Sequence, residues 1–463
     1  MPATTAQDRL TGRAWAVLFV LCGAIFLEGI DVSMMGVALP SIRAELGLST
    51  SELQWIVSAY VLSYGGFVLL GGRAADLLGR RRMFIGWLVV FLAFSGLGGF
   101  ASEGWVLIVA RFVTGIAAAF MTPAGLSIIT TTYPEGPHRN KALLVYAGTA
   151  AGGFSLGMVA GGLLTAIDWR WVFFAPVVLA AVILVAAIAL IPREAEPLKT
   201  AGGFDLGGAL TLTGSMLLLV STVVRAPDVA AGQTAVTLMA GLVLLGLFVV
   251  IEQRVGSPLI RLGILRSGPL VRANLGAVLL VGSFVGFQFI AVLYLQELRN
   301  WSGLETGLAL MVIGIDSVLA PTLTPWLVNR FGNGRVVFGG FTFAAAAYAL
   351  FLPLGADWSY AAMLPTLILL GLAFALAYGP LTIAATDGVA EEEQGLASGV
   401  LTTSFQFGSA LGLAVVAAVL AAADDLTVEG FRSALLVPLV AAALGLLAAL
   451  PGLTRRPAPQ PAA

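Results

Sequence analysis

Glu28 and Asp31 stand in the first long apolar stretch of this 463-residue chain, Arg111 in the fourth and Asp316 in the tenth. An ionisable group at bilayer depth costs about 2.5–3.5 kcal/mol on insertion scales, so each requires a reason. Three reasons are available: exchange of a proton, contact with a charged substrate, or a structural ion pair. Glu28 and Asp31 are three residues apart, so a helix sets them on one face. Burial and a neighbouring arginine act in opposite senses on a carboxyl group's hold on its proton. A balance between them lets proton binding compete with substrate, which makes Asp31 the first coupling candidate, with Glu28, Arg111 and Asp316 beside it. An ion pair between Asp31 and Arg111 is the structural alternative. Aromatic and amide side chains form a second tier. Trp55, Tyr60 and Tyr64 fall roughly on one helical face, and Gln288, Tyr294 and Gln406 can line the opposite side of a cavity.

Other chemistries have too few residues. A single cysteine, Cys22, makes no internal disulfide, and a single histidine, His138, makes no histidine-based zinc site. The phosphate-binding pattern G-x-x-x-x-G-K-S/T is missing, which argues against nucleotide drive. No metal and no cofactor is expected. The formal net charge of −1 gives no reason to expect nucleic acid as a partner.

The elements that position these groups follow from composition. Hydrophobic residues make up 59% of the chain and charged residues 11%, against about 25% charged in a soluble domain. A bilayer span needs about 20 apolar residues. Uninterrupted apolar runs give fourteen such spans, too long and too uniformly apolar for barrel strands. The first run is too long for a cleaved signal peptide and reads as a retained span. With the N-terminus inside, arginines and lysines crowd the inner segments, as in Arg80-Arg81-Arg82, Arg139 and Lys141. The outer loops then hold only Arg43, Arg170, Arg225, Arg299 and Arg432. By the positive-inside rule both termini are cytoplasmic.

The first and last six spans repeat each other. Ser49 and Glu52 match Ser302 and Glu305, and Asp76-Leu77-Leu78-Gly79 matches Asn329-Arg330-Phe331-Gly332. Gly115 and Pro123 match Gly371 and Pro380, and Gly153 through Gly157 matches Gly408 through Gly412. Arg111 and Asp31 align with Leu367 and Phe284, so these charges are not part of the repeated scaffold. Parallel repeats of this kind place a substrate site between the halves near the midplane. The expected organisation is a six-helix bundle over 1–192, two linker helices over 193–262, a second six-helix bundle over 263–452 and a disordered cytoplasmic tail over 453–463.

Local motifs name a family. Gly72-Arg73-Ala74-Ala75-Asp76-Leu77-Leu78-Gly79-Arg80-Arg81-Arg82, between the second and third spans, resembles the signature loop of the major facilitator superfamily. Leu107, Arg111, Thr114, Gly115, Ala117 and Ala118 resemble that family's buried-arginine motif. Asp31-Val32-Ser33-Met34-Met35-Gly36-Val37-Ala38-Leu39-Pro40 resembles the first-helix element of its fourteen-helix drug:proton antiporters, as do Gln54-Trp55 with Tyr60 and Trp169 through Phe173. In the fifth span Gly153, Gly157, Gly161 and Gly162 keep the antiporter glycines, while Met158 stands where proline is expected, so a proline-dependent kink is absent.

The resemblance implies an all-α polytopic fold of two six-helix bundles plus two extra central helices. It also implies a conformational-switch loop at Gly72, Asp76, Gly79, Arg80 and Arg81. The expected function is proton-coupled efflux of drugs or other organic compounds across a bacterial inner membrane. A monomer in the lipid bilayer, with a small organic substrate and protons as partners, completes the expectation. Uptake by proton symport, or a non-transporting membrane sensor, is the alternative.

Overall fold

Runs of 20 and more apolar residues have no route through hydrocarbon except as helices, because every backbone N–H and C=O must find its partner internally. The computed structural model follows that rule. It describes residues 12–133, 137–192, 205–226, 229–256, 258–260, 262–386, 394–423 and 427–453. The tail expected at 453–463 lies almost wholly outside these.

The helices in chain order are α1 (Gly12–Leu46), α2 (Thr50–Leu78), α3 (Arg80–Gly99), α4 (Gly104–Thr132), α5 (Pro137–Thr165), α6 (Trp171–Leu190), α7 (Leu206–Arg225) and α8 (Ala231–Arg254). Then come α9 (Gly268–Leu293), α10 (Gly303–Leu310), α11 (Asp316–Phe331), α12 (Asn333–Phe351), α13 (Tyr360–Thr386), α14 (Gln394–Ala422) and α15 (Val428–Ala449). Because α10 and α11 are two pieces of one rod, the described residues form fourteen rods. Thirteen of them are long and apolar enough by length and composition to cross a membrane.

Two rods depart from the simple spans expected. The first continues through Pro40 to Leu46 instead of stopping before the proline. The tenth is interrupted by a 3-10 turn at Met311–Ile315, which tightens the backbone just before Asp316.

Packing repeats as the sequence does. α1 lies on α5 and α6, α2 on α4, and α3 on α4 and α6. In the same order α9 lies on α14 and α15, α11 on α13, and α12 on α13 and α15. Local detail repeats too. Ser49 and Ser302 each form a capping box with the glutamate three residues on, with the serine N–H donating to the glutamate at 2.8 Å. Gly79 and Gly332 each join two helices at positive φ, +96° and +86°, where an L side chain is strained.

Small residues set the closest approaches. A Cβ placed on Gly157 would lie 2.7 Å from Ile30 Cα, and one on Gly161 would lie 2.7 Å from Met34 Cα. In the second half Gly408 and Gly412 meet Val278 and Gly282 in the same way. Without a strong hydrophobic drive between helices in lipid, such backbone contact is what packs them.

The two sets of six rods meet where α2 packs on α14 and α5 packs on α10. α7 fits against both α2 and α14, while α8 packs chiefly on α7. The outer faces, such as Val178, Val182 and Val185 of α6 or Val236, Met239 and Val243 of α8, are exposed and apolar. They suit acyl chains.

Candidate functional site

The site begins on α1, where Glu28 and Asp31 face the middle of the molecule but meet different surroundings. Asp31 is sealed. Its Oδ2 accepts from Arg111 Nη1 of α4 at 2.5 Å, with the two side chains 1% and 2% exposed. The guanidinium carbon lies 4.3 Å from the ring centroid of Tyr60 on α2, a cation–π contact strengthened by the absence of water. Thr114 donates to the Arg111 carbonyl at 3.1 Å. Gly115 presses against the Tyr60 backbone and leaves no room for a Cβ, which is how α4 brings its arginine so near α2. Arg111 Nε and the Tyr60 hydroxyl have no partner among the described residues.

Glu28, one turn nearer the N-terminus, is only half-buried. Thr122 Oγ1 of α4 donates to its Oε2 at 2.5 Å. Tyr64 of α2 is within hydrogen-bonding reach, and Tyr146 of α5 and Tyr378 of α13 stand close enough to feel its charge. Tyr378 belongs to the last six rods and is 42% exposed. Its ring stacks on Phe405 at 4.4 Å and on Phe374 at 5.0 Å between centroids. A carboxyl group of one half therefore stands within electrostatic range of an aromatic stack of the other, of which Tyr378 is the exposed ring. That arrangement can take up a proton, or hold the charged or hydroxylated part of an organic molecule whose apolar part lies on the rings.

Sequence reasoning did not find Thr122, Tyr146 or Tyr378. A signal for two of them was present. Thr122 precedes Pro123 and Tyr378 lies two before Pro380, and these prolines match in the repeat.

The remaining candidates scatter. Tyr60 and Tyr64 join the site, their ring centroids 6.2 Å apart, while Trp55, nearer the start of α2, packs against the apolar residues there. Gln288 donates to Met158 Sδ at 3.6 Å, across the contact between the halves. Gln406 packs on Gly65, and its neighbour Thr403 donates to the Gly65 carbonyl at 2.9 Å. Tyr294 is placed elsewhere. It is fully buried, donates to the Gly355 carbonyl at 2.6 Å and packs edge-on against Phe351 and Phe431. Asp316 opens α11 after the 3-10 turn, and Gly314 of that turn abuts Ser155 of α5.

In the loop between α2 and α3, Gly79 makes the turn and Gly72 faces Pro123 of α4. Arg80 and Arg81 begin α3. Arg81 donates to the carbonyls of Ile188 and Ile191, both at 2.9 Å, and so caps the end of α6. The Asp76 side chain lies outside the described residues. On α5, Gly153, Gly157 and Gly161 receive α1, whereas Gly162 receives Gly303 and Leu304 of α10.

Known proteins resemble this chain over most of its length. The sequence is 34% identical over 416 residues to the puromycin resistance protein of Streptomyces alboniger, covering 87% of this chain and 81% of that protein. It is 34% identical over 427 residues to the cephamycin export protein of Amycolatopsis lactamdurans, covering 89% and 86%. Among solved structures, a POT family transporter in complex with 5-aminolevulinic acid shares the fold at 15% identity and a TM-score of 0.70, covering 95% of this chain and 96% of that one. Residues 21–413 match the Major Facilitator Superfamily. With the repeated packing of six and six rods, the match makes the chain a member of the Major Facilitator Superfamily, a multi-pass membrane transporter of small organic molecules.

Proposed function

We propose that this transporter exports an antibiotic-like organic compound from the bacterial cell in exchange for protons, and that Glu28 is where the exchange occurs. The relatives named above are a resistance protein and an export protein, which supports outward transport. The observation that carries the reading is the difference between the two acids of α1. Asp31 is held by Arg111 in a sealed ion pair. Glu28 is only partly buried, accepts from Thr122 and lies within electrostatic range of Tyr378 of the other half.

The two roles follow. Without Asp31 the arginine would be buried and unpaired, so the pair serves to tie α1 to α4. Glu28 keeps a hydroxyl donor in Thr122 when ionised, and when protonated it can donate in turn. Substrate entering from the cytoplasm displaces the proton from Glu28. Rocking of 1–192 against 263–452, with 193–262 as the connecting pair, then opens the cleft to the other side. There a proton displaces the substrate, and the return stroke carries the proton inward. Both termini lie in the cytoplasm, and the protein works as a monomer.

Expression in a pump-deficient bacterium tests the reading. Resistance to at least one member of a panel of aminonucleosides, β-lactams and aromatic polyketides is expected, together with collapse of a proton gradient in everted vesicles when that compound is added. Resistance with no change in the gradient would remove proton exchange from the mechanism.

A further inference from the structure

Away from the central cleft, at the base of the α7–α8 hairpin, two further carboxyl groups are buried together. Asp205 caps α7, with Oδ1 accepting from the Gly208 N–H at 2.7 Å. Glu252 lies in the last turn of α8, with Oε2 accepting from the Ile260 N–H at 2.9 Å. The two residues are 4% and 5% exposed. Their other oxygens, Asp205 Oδ2 and Glu252 Oε1, find no partner among the described residues. Both point over Gly208, where a Cβ would stand 2.5 Å from the first and 2.7 Å from the second. The side chains are within hydrogen-bonding reach of each other, and two carboxyl groups can bond in that way only if one of them carries a proton.

Among the described residues no positive charge substitutes for that proton. Arg254 and Arg266 are exposed. Arg73 of α2 and Arg272 of α9 form no ion pair with either acid among the described residues, and the described part of α14 carries no charged residue. The full burial of both acids adds to the mutual repulsion they would have if both were ionised.

We propose that Asp205 and Glu252 form a second proton-binding site, one shared proton clamping the base of the α7–α8 hairpin to the segment at Leu259 and Ile260 that leads into α9. The position gives the clamp a consequence for transport. α7 fills the seam between α2 of the first half and α14 of the second. Loss of the proton sets two negative charges against each other, releases the Ile260 amide and loosens the helix that spans both halves. The site is separate from Glu28, so it stands or falls apart from the exchange reaction there.

The test uses the full chain in proteoliposomes and compares wild type with Glu252→Gln, whose amide can donate to Asp205 and still accept from Ile260. Infrared difference spectra should show a protonated-carboxyl stretch near neutral pH that Glu252→Gln lacks and that disappears from wild type at alkaline pH. The thermal midpoint of wild type relative to Glu252→Gln should fall over the same pH range. Equal carboxyl bands in the two proteins, or a midpoint difference that does not change with pH, would overturn the shared proton. So would a midpoint difference governed by added sodium at constant pH, which would make the bridging species a metal cation.

Discussion

Arg111 and Asp31 join α4 to α1 through a 2.5 Å contact sealed from water, while the repeat positions in the other half hold Leu367 and Phe284, both apolar and buried. The scaffold therefore folds without charge at this place, and only the first half carries the pair. Removing one partner of a buried pair costs about 3–5 kcal/mol, because the other is left uncompensated, whereas replacing both with apolar residues is often neutral. Asp31→Asn is expected to lower the thermal midpoint of the purified protein sharply. Asp31→Phe combined with Arg111→Leu, which copies the second half, should recover most of the loss. A double variant as unstable as the single one would show that the pair is not the source of the cost.

The α1–α5 contact gives a second expectation. Gly157 admits no Cβ beside Ile30, whereas Gly148 on the same helix has open space around it. Overpacking of this kind costs about 1–3 kcal/mol. Gly157→Val should lose that much stability together with most of its transport, and Gly148→Ala should lose neither. Thermal melts and resistance assays on the two variants check it.

What could be read from the sequence was local or costly. Ser49 with Glu52 and Ser302 with Glu305 announce their capping boxes within four residues. Glu28, Asp31 and Arg111 are conspicuous because charge in an apolar run is expensive. What could not be read depends on distant packing. Tyr378 comes near enough to Glu28 to feel its charge only because of how the two halves are packed, and Asp205 meets Glu252 only because α7 and α8 fold back on each other. The 3-10 turn at Met311–Ile315 was hidden as well, since its sequence is as apolar as the helices around it and only Gly314, lodged under Ser155, marks the place.

Gly79 and Gly332 supply a third test. Both hold φ near +90°, in a region open almost solely to glycine, where another residue costs about 1–3 kcal/mol. Gly79→Ala and Gly332→Ala should lower the thermal midpoint by similar amounts, since the two turns are copies. A loss confined to one of them would break the equivalence of the turns.

The proposed orientation rests on where the arginines and lysines fall. Reporter fusions should report cytoplasm at residues 200 and 262 and at the C-terminus, and the outside at residue 228. A cytoplasmic signal at residue 228 would mean that α7 and α8 do not cross the membrane.

The exchange at Glu28 is tested most directly by counting protons. Purified protein in weakly buffered detergent is mixed with a compound to which it confers resistance, and the pH change is recorded alongside binding. Wild type should release protons as the compound binds. Glu28→Gln should bind it without releasing them, with an affinity that no longer depends on pH, while the Asp31→Phe, Arg111→Leu double variant should still release them. Release from Glu28→Gln equal to that of wild type would contradict the assignment and move the exchanging carboxyl group elsewhere, with Asp316 next to be tested.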